Sequence, residues 1–569
     1  MQWLFLKIQK VVFVYSTFSI LNLAIAKFLK EQQIFNDKIR RGEVLMNAYL
    51  LLEIASSIVT EQEIITFDEE RLTYGQLTEQ SSRAAAFLSS LGITKGDRIG
   101  LITTNCPEVI EVFYAAFQLG AVIVPINYRA RAEELAYMVE DAGVKVLIFE
   151  SRYSALINPV IENSGIQETI SIRGTTEGHK NYDELKRQVV DCYEGFEDVE
   201  STDLAILLYT SGTTSKPKGV MLTHGQLTTY VMNHSEVADG SDRGSSVICI
   251  PNYHVAGATS ICNSIYTGRR LILMPQFDAG KWLYAIEREK ATQAFLVPTM
   301  MKQVLDHPEF GNTDLSSLES LSYGAAQMPL PVILKAIKSF PTTTNFANAF
   351  GMTETTSTVS VLGPEDHKFT GSKEEQERKI KRLSSVGKPL PGVDIMVVDD
   401  QKKPVGENIV GNVYVRSERS MKGYWNRQEA TTETLVDGWV NTEDVGWIDE
   451  EGYLFLGGRS SDMIIRGGEN ISPAEIEDVL LSHSALSDVA IIGIPSLEWG
   501  EEIMAVIVLD ELKAHPTVEE LTQFCKGRLA SFKVPSEIVI VESLPRTSTG
   551  KILKKELRER YTPVNENYY

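Results

Sequence analysis

Residues 209–224 read YTSGTTSKPKGVMLTH; six of these sixteen are Ser or Thr, and Pro217 sits between two lysines. Glycine lets a backbone approach a ligand closely, hydroxyls donate to phosphate oxygens, and lysine supplies positive charge. The common phosphate loop needs a second Gly five positions after the first, followed by Lys and Ser/Thr. Pro217 occupies that position after Gly212. The stretch is either a phosphate loop of another kind or a flexible polar connection, which Ser/Thr/Gly runs often are.

Three more stretches carry residues able to do chemistry. NAFGMTETTS (348–357) sets Glu354 among hydroxyls after a glycine. One carboxylate is enough for Mg²⁺, which keeps most of its waters and takes one or two protein oxygens. By itself Glu354 reads more readily as a helix-start carboxylate than as a metal ligand. Within residues 438–480, Asp444 can accept from two ribose hydroxyls and Arg459 can clamp the same sugar or a phosphate. The plainer alternative is a structural Asp–Arg pair in a hairpin. In LPRTSTGKI (544–552), Lys551 lies in a Gly/Ser/Thr setting, where a lone lysine is ordinarily a solvated charge.

These residues need strands and helices to hold them. LAILLYT leads directly into the first stretch, and RIGLIT, AVIVPI, VKVLIFE, SVICIP and RLILMP are further apolar strands. Runs as continuously apolar as AVIVPI belong in parallel sheets buried on both faces. Between them, PEVIEVFYAAFQ recurs at helical spacing, with Pro107 at the start and Gly120 after its end. The alternation predicts βαβ units. After about residue 386, DIMVVDD, NVYVRS and GYLFLGG alternate with Gly/Pro/Asp turns, predicting a small β-rich subdomain. The charged segment SKEEQERKIKR (372–382) reads as a solvated turn.

With 569 residues the chain exceeds one core and divides into domains. Lys and Arg number 55 against 76 Asp and Glu, a net charge of −21, which argues against a nucleic-acid-binding face. Five scattered cysteines without a CxxC pair give no zinc site and no disulfide framework.

The four stretches, in this order and at this spacing, resemble the adenylate-forming (AMP-binding) superfamily, which includes acyl-CoA synthetases, firefly luciferase and peptide-synthetase adenylation domains. The resemblance runs from about residue 46 to the C-terminus and includes LTYGQL, PNYHVAG, SYGAAQMP, VGKPLPG and GYWNRQEAT. It implies an α/β fold in which residues 46–459 form a large domain of mostly parallel sheets with helices plus the β-rich subdomain. Residues 460–569 would form a small, mobile α+β domain. By motif position, Thr210, Ser211, Gly212, Thr213, Thr214 and Lys218 wrap the β- and γ-phosphates of ATP. Thr210 and Glu354 bind Mg²⁺, and Thr353 contacts the α-phosphate. Adenine lies between Gly324–Ala325 and Asn348, Phe350, Gly351 and Met352. Asp444 and Arg459 take the ribose, and Lys551 bridges carboxylate and α-phosphate. A carboxylate is already ionised at neutral pH, so this chemistry needs no general base.

His254 occupies the family position beside the acyl carboxylate, as a gate, with a packed core histidine as the alternative. RGGENISPAEIE has the form found in CoA ligases; Gly467 and Gly468 would line the pantetheine channel. Phe532 and Lys533 precede Lys551 by nineteen and eighteen residues, where similar ligases hold the CoA nucleotide. Val534 departs from the Arg that some of them carry. Ser461 stands at the hinge position, where Asp or Lys is usual. LGGRS (456–460) imitates a phosphopantetheine attachment site, but Arg459 belongs to the ribose motif.

Small residues after both gate motifs (Ala256, Gly257, Ala258, Thr259 and Thr355, Thr356, Ser357) leave room for a medium or long acyl chain or an aryl acid. The expected function is therefore acyl-CoA synthesis from a fatty acid, with aryl acids as the alternative. A different class, an inactive nucleotide-binding regulator tethered to a membrane, remains open. Its anchor would be residues 1–30, where the uncharged run Val11 to Ala26 is flanked by lysines. Sixteen residues are short for a span, which takes about 20. Residues 1–45 read as an extension without a structural role, a membrane-associating segment or a cleaved signal. The expected location is cytoplasmic, with membrane association and a homodimer as open partner readings.

Overall fold

The computed structural model describes residues 47–161, 164–210, 216–466, 469–496, 499–547 and 550–561. The apolar run Val11 to Ala26, Ser211, Gly212, Thr213, Thr214, Gly467 and Gly468 lie outside the described residues.

Among the described residues four sheets form. The first has eight strands, in the order Gly423–Tyr424, Lys218–Thr223, Leu204–Thr210, Val122–Pro125, Arg98–Ile102, Val144–Glu150, Glu168–Ile172 and Lys180–Asn181. From Leu204–Thr210 onward neighbouring strands run parallel. Every residue of Val122–Pro125 is buried, as a strand covered on both faces requires. Lys218–Thr223 returns antiparallel along Leu204–Thr210, setting Lys218 opposite Thr210.

The second sheet has nine strands, and its middle is parallel: Arg270–Leu273, Ser245–Ile248, Gln293–Leu296, Ser320–Gly324 and Asn345–Met352. A third, antiparallel sheet of five strands spans Val393–Val398 to Leu454–Arg459. This is the β-rich part expected from the short alternating runs. The fourth sheet also has five strands, all from residue 464 on, and packs helices Pro473–Leu481 and Val518–Lys526 around Ile476, Leu480, Leu521 and Cys525.

Residues 372–382 are not a turn but carry the helix Lys373–Arg382. Ser372 and Glu375 form a capping box, acidic residues fill the first turn and basic ones the last, so caps and dipole stabilise a helix that buries nothing. Charge alone had suggested a turn; the order of the charges makes a helix. No helix among the described residues is long and apolar enough to cross a membrane.

The described chain starts inside the core. Helix Leu50–Val59 buries Leu51, Leu52 and Ala55 completely. Just before it, the Ala48 N–H donates to His224 Nδ1 at 3.0 Å. Burial pushes His224 down to about 4, so the ring is neutral and free to accept that bond. Removing residues 1–45 should therefore leave the folded protein and its melting temperature intact. Removing 1–52 deletes the Ala48 bond and three buried leucines, each worth roughly 2–5 kcal/mol in a core, and should yield insoluble protein or a large drop in melting temperature. Equal behaviour of the two truncations, read by thermal melting, would contradict this account.

Candidate active site

Parallel strands present loops at their carboxyl ends, where α/β proteins bind ligands. Thr210 closes Leu204–Thr210, Gly324 closes Ser320–Gly324, and Met352 closes Asn345–Met352. All three ends meet at one cleft of 1660 Å³. Thr210, Lys218, Ala325, Asn348, Phe350, Gly351, Met352, Thr353 and Glu354 line it. His254, Asp444, Arg459 and Lys551 line the same space.

The two glycines are there for contact. A Cβ on Gly324 would sit 2.1 Å from the Ala349 carbonyl oxygen, and one on Gly351 1.9 Å from that of Ser357. Ala325 follows with φ 65°. These close approaches shape the slot between the strand ends, and Asn348 is held there by donating from Nδ2 to the Ser385 carbonyl at 3.2 Å.

Glu354 lies in the short 3₁₀ turn Thr353–Thr355 and is buried. The helix-start reading and the functional one are thus compatible. Its Oε1 accepts from the Tyr424 hydroxyl at 2.9 Å, and its backbone carbonyl accepts from Met421 N–H at 2.7 Å. Tyr424 comes from the edge strand paired with Lys218–Thr223, and Lys218 Nζ stands 4.6 Å from its ring centre. Tyr424 was missed as a site residue, although it stands in the quoted GYWNRQEAT stretch. Its phenol holds the carboxylate in the wall of the cleft that Thr210 also lines. One carboxylate and one hydroxyl facing an open cleft fit Mg²⁺, which needs few protein ligands. Among the described residues no group of three or more His, Cys, Asp or Glu could hold a metal.

Asp444 and Arg459 face each other across antiparallel strands. Arg459 Nε lies 3.2 Å from Asp444 Oδ1, and its Nη1 donates to the Thr442 carbonyl at 2.6 Å. Thr442 Oγ1 in turn accepts from the Asp444 N–H at 3.1 Å. Burial raises the Asp444 carboxyl, and the Arg459 charge opposes that shift. The pair is both a structural hairpin pair and part of the cleft wall. Thr442 was not singled out from sequence because NTED gives no sign of its orienting role.

His254 caps helix Val255–Thr267, and its Nε2 is buried without a hydrogen-bond partner. Burial, helped by the Lys551 charge, pushes it to about 3. A neutral ring suits a wall and not a proton carrier.

Lys551 arrives from the far end of the chain. Its N–H donates to Thr547 Oγ1 at 3.0 Å. Solvent in the cleft reaches the side chain, yet protein surrounds it, so lost solvation lowers its pKa and Arg459 adds to that. Asp444 and Glu354 pull in the opposite direction. Around it, Gly550 (φ 84°) lies against Thr299, and Ser472 Oγ donates to the Gly457 carbonyl at 2.6 Å. The Leu330 N–H, at the start of helix Leu330–Ser339, donates to Asp478 in helix Pro473–Leu481. Phe532 and Lys533 are not among the cleft-lining residues; Lys533 pairs with Glu475 at 2.5 Å and Phe532 is exposed. Ser461 lies in the short turn Ser460–Asp462 at the cleft, and Asp462 pairs with Arg558 at 2.9 Å.

The AMP-binding enzyme profile matches residues 56–425, and the AMP-binding enzyme C-terminal domain profile matches 475–551. The long-chain-fatty-acid–CoA ligase FadD13 of Mycobacterium tuberculosis is 35% identical over 495 residues, covering 86% of this chain and 93% of that protein. Feruloyl-CoA synthase of an Amycolatopsis species is 33% identical, covering 86% of this chain and 94% of that enzyme. Among solved structures, the anthranilate CoA ligase AuaEII in complex with anthranoyl-AMP superposes with a TM-score of 0.82 at 25% identity, covering 91% of this chain and 97% of that one. The chain belongs to the AMP-binding enzyme family. Within it, it is an AMP-forming acid–thiol ligase that works with ATP, Mg²⁺ and coenzyme A.

Asp478 supplies a test of how residues 464–561 are seated. Burial raises its carboxyl to about 6, against the Leu330 bond that lowers it. A carboxyl with a higher pKa folded than unfolded is stabilising only while protonated, so its contribution fades as pH rises from the ordinary carboxylate range through 6. Asp478→Asn mimics the protonated form. Variant and wild type should melt together near pH 4, and the variant should gain up to about 3 kcal/mol by pH 7. A pH-independent gap between the two melting curves would contradict it.

Proposed function

We propose that the chain activates a medium- or long-chain fatty acid as its acyl-adenylate and then passes the acyl group to coenzyme A. The observation that carries this reading is the convergence of Thr210, Glu354, Asp444 and Arg459 with Lys551 on one cleft, beside the neutral wall of His254.

In the first step a carboxylate oxygen of the acid attacks the α-phosphorus of ATP. The bond to the bridging oxygen of pyrophosphate breaks, and pyrophosphate leaves. The attack brings anion to anion, so the residues act by position and charge. Lys551 lies between the two anions; Thr210, the 211–214 loop and Lys218 grip the departing pyrophosphate. Mg²⁺, when bound at Thr210 and Glu354, supplies neutralising charge. Asp444 and Arg459 hold the ribose, Thr353 the α-phosphate, and the Gly324–Ala325 and Asn348–Met352 segments the adenine. In the second step the thiol attacks the acyl carbon and AMP leaves. For that step residues 460–569 act as a mobile domain turning at Ser461 on residues 46–459, and Gly467, Gly468, Phe532 and Lys533 serve coenzyme A. Phe532 and Lys533 standing off the cleft in the present arrangement accords with a role in the second step alone.

The fatty-acid preference is supported by the small residues 256–259 and 355–357 and by the likeness to FadD13. The likeness to feruloyl-CoA synthase and the anthranilate ligase favours an aryl acid as the second reading. AMP release measured over a panel of both kinds separates them: the highest kcat/KM should fall on a medium- or long-chain fatty acid and not on an aryl acid. An inactive regulator would release no AMP with any acid. Lys551→Ala should lower acid-dependent ATP–pyrophosphate exchange at least about 100-fold while leaving thioester formation from presynthesised acyl-adenylate near wild type. Equal loss in both half-reactions would remove the bridging role.

A further inference from the structure

Tyr137, Asp141 and Arg427 are not among the cleft-lining residues, yet all three are tied to the hairpin that carries Thr210 and Lys218. Four residues apart on helix Ala132–Ala142, Tyr137 and Asp141 share a face. Asp141 Oδ2 accepts from the Tyr209 phenol at 2.7 Å, one residue before Thr210. The Tyr137 phenol donates to the Pro217 carbonyl at 3.2 Å, one residue before Lys218. One helix face therefore holds both sides of the hairpin mouth. There Thr210 pairs with Lys218 and gives its hydroxyl to the Lys218 carbonyl at 3.4 Å.

Arg427 joins the two ties. Its Nη2 donates to the Tyr137 oxygen at 2.6 Å and to Asp141 Oδ1 at 2.8 Å. The direction of this relay is fixed at both ends. A guanidinium can only donate and a carbonyl can only accept, so the Tyr137 proton points at Pro217. A phenol that accepts from a cation is polarised to donate more strongly.

Arg427 comes from the same short segment as Tyr424. Between them, Trp425 donates its backbone N–H to the Gly219 carbonyl at 2.7 Å and its indole N–H to the Asp141 carbonyl at 2.9 Å. Tyr424 reaches Glu354, just beyond strand Asn345–Met352 of the second sheet, at 2.9 Å. Residues 424–427 thus set the Thr210–Lys218 hairpin of the first sheet against Glu354.

We propose that Tyr137, Asp141 and Arg427 are positioning residues for the phosphate end of ATP, holding Thr210 and Lys218 in place before the nucleotide arrives. This rests on the reading of Thr210 and Lys218 as phosphate ligands. Ordering the hairpin mouth in advance removes the cost of ordering it on binding, and a displacement of about 1 Å at such a site costs about 100-fold in rate. AMP lacks the β- and γ-phosphates, so its affinity does not depend on this cluster.

The test measures affinity for ATP with Mg²⁺, and for AMP, by calorimetry without acid. Beside it stand KM for ATP in pyrophosphate exchange and thioester formation from presynthesised acyl-adenylate. Tyr137→Phe removes one hydroxyl and keeps the ring. It should weaken ATP about 10-fold and leave AMP, the thioester step and the melting temperature near wild type. Arg427→Met should weaken ATP about 30-fold, and Arg427→Lys, which keeps a charged donor for Asp141, should fall between that and wild type. Because Arg427 acts through Tyr137, combining Tyr137→Phe with Arg427→Met should lose less than the product of the two single losses. Lys218→Met tests the underlying reading and should weaken ATP while sparing AMP. Unchanged ATP affinity in Lys218→Met would overturn the phosphate reading and the proposal with it. ATP weakened by Lys218→Met but by neither Tyr137→Phe nor Arg427→Met would overturn the positioning role alone. So would ATP and AMP affinities in Tyr137→Phe that fall together with its melting temperature.

Discussion

A carboxylate approaching a triphosphate meets like charge, and the site is arranged around that repulsion. The strand ends of the two large sheets supply hydroxyls, close-packed glycine backbone and one held carboxylate, all suited to gripping phosphates and a metal. They do not supply the cation at the point of attack. In the proposed reaction Lys551 does, and it lies beyond the last strand of a separate sheet with its own core. Its pKa is set by opposing influences: lost solvation and Arg459 push it down, while Asp444 and Glu354 act upward. The incoming anions shift that balance toward the charged form, so the lysine is at its most useful when the substrates are present.

Placing that one charge depends on contacts that cross between the two parts of the chain. Among the described residues these include Leu330 N–H to Asp478, Ser472 to the Gly457 carbonyl, and Gly550 against Thr299. Polar contacts of this kind are common where domains meet. The Asp444–Arg459 pair lies at the edge of this seam, with Arg459 immediately before the Ser460–Asp462 turn, so the proposed ribose contact and the seam share residues.

The fold was largely readable because its periodicities are strong. AVIVPI, LAILLYT and VKVLIFE are buried parallel strands for the same reason that they are continuous apolar runs, and Pro107 and Gly120 bound the helix that precedes AVIVPI. Segment 372–382 was misread because composition says charged, while the sequence order of the charges says helix. Of the site, the residues that gather on the cleft were readable through motifs: Thr210, Glu354, Asp444, Arg459 and Lys551 stand in Gly-, Ser- or Thr-rich stretches. The residues that orient them were not. Tyr424 reaches Glu354 across 70 positions of sequence, and Thr442 acts through both its carbonyl and its hydroxyl. Such roles are properties of three-dimensional surroundings, and a single sequence carries no local sign of them.

The central claim is that the arrangement described, with Lys551 in the cleft, is the acid-activating one, and that the thioester step requires leaving it. A Cβ at Gly550 would lie 3.7 Å from that of Thr299, within the roughly 3.5–4.5 Å a disulfide spans. Thr299→Cys combined with Gly550→Cys would lock the seam. The oxidised double variant should keep acid-dependent ATP–pyrophosphate exchange, form no thioester, and regain thioester formation on reduction. An oxidised enzyme that makes thioester at the reduced rate, or one that loses the exchange reaction while the reduced form keeps it, would contradict the account.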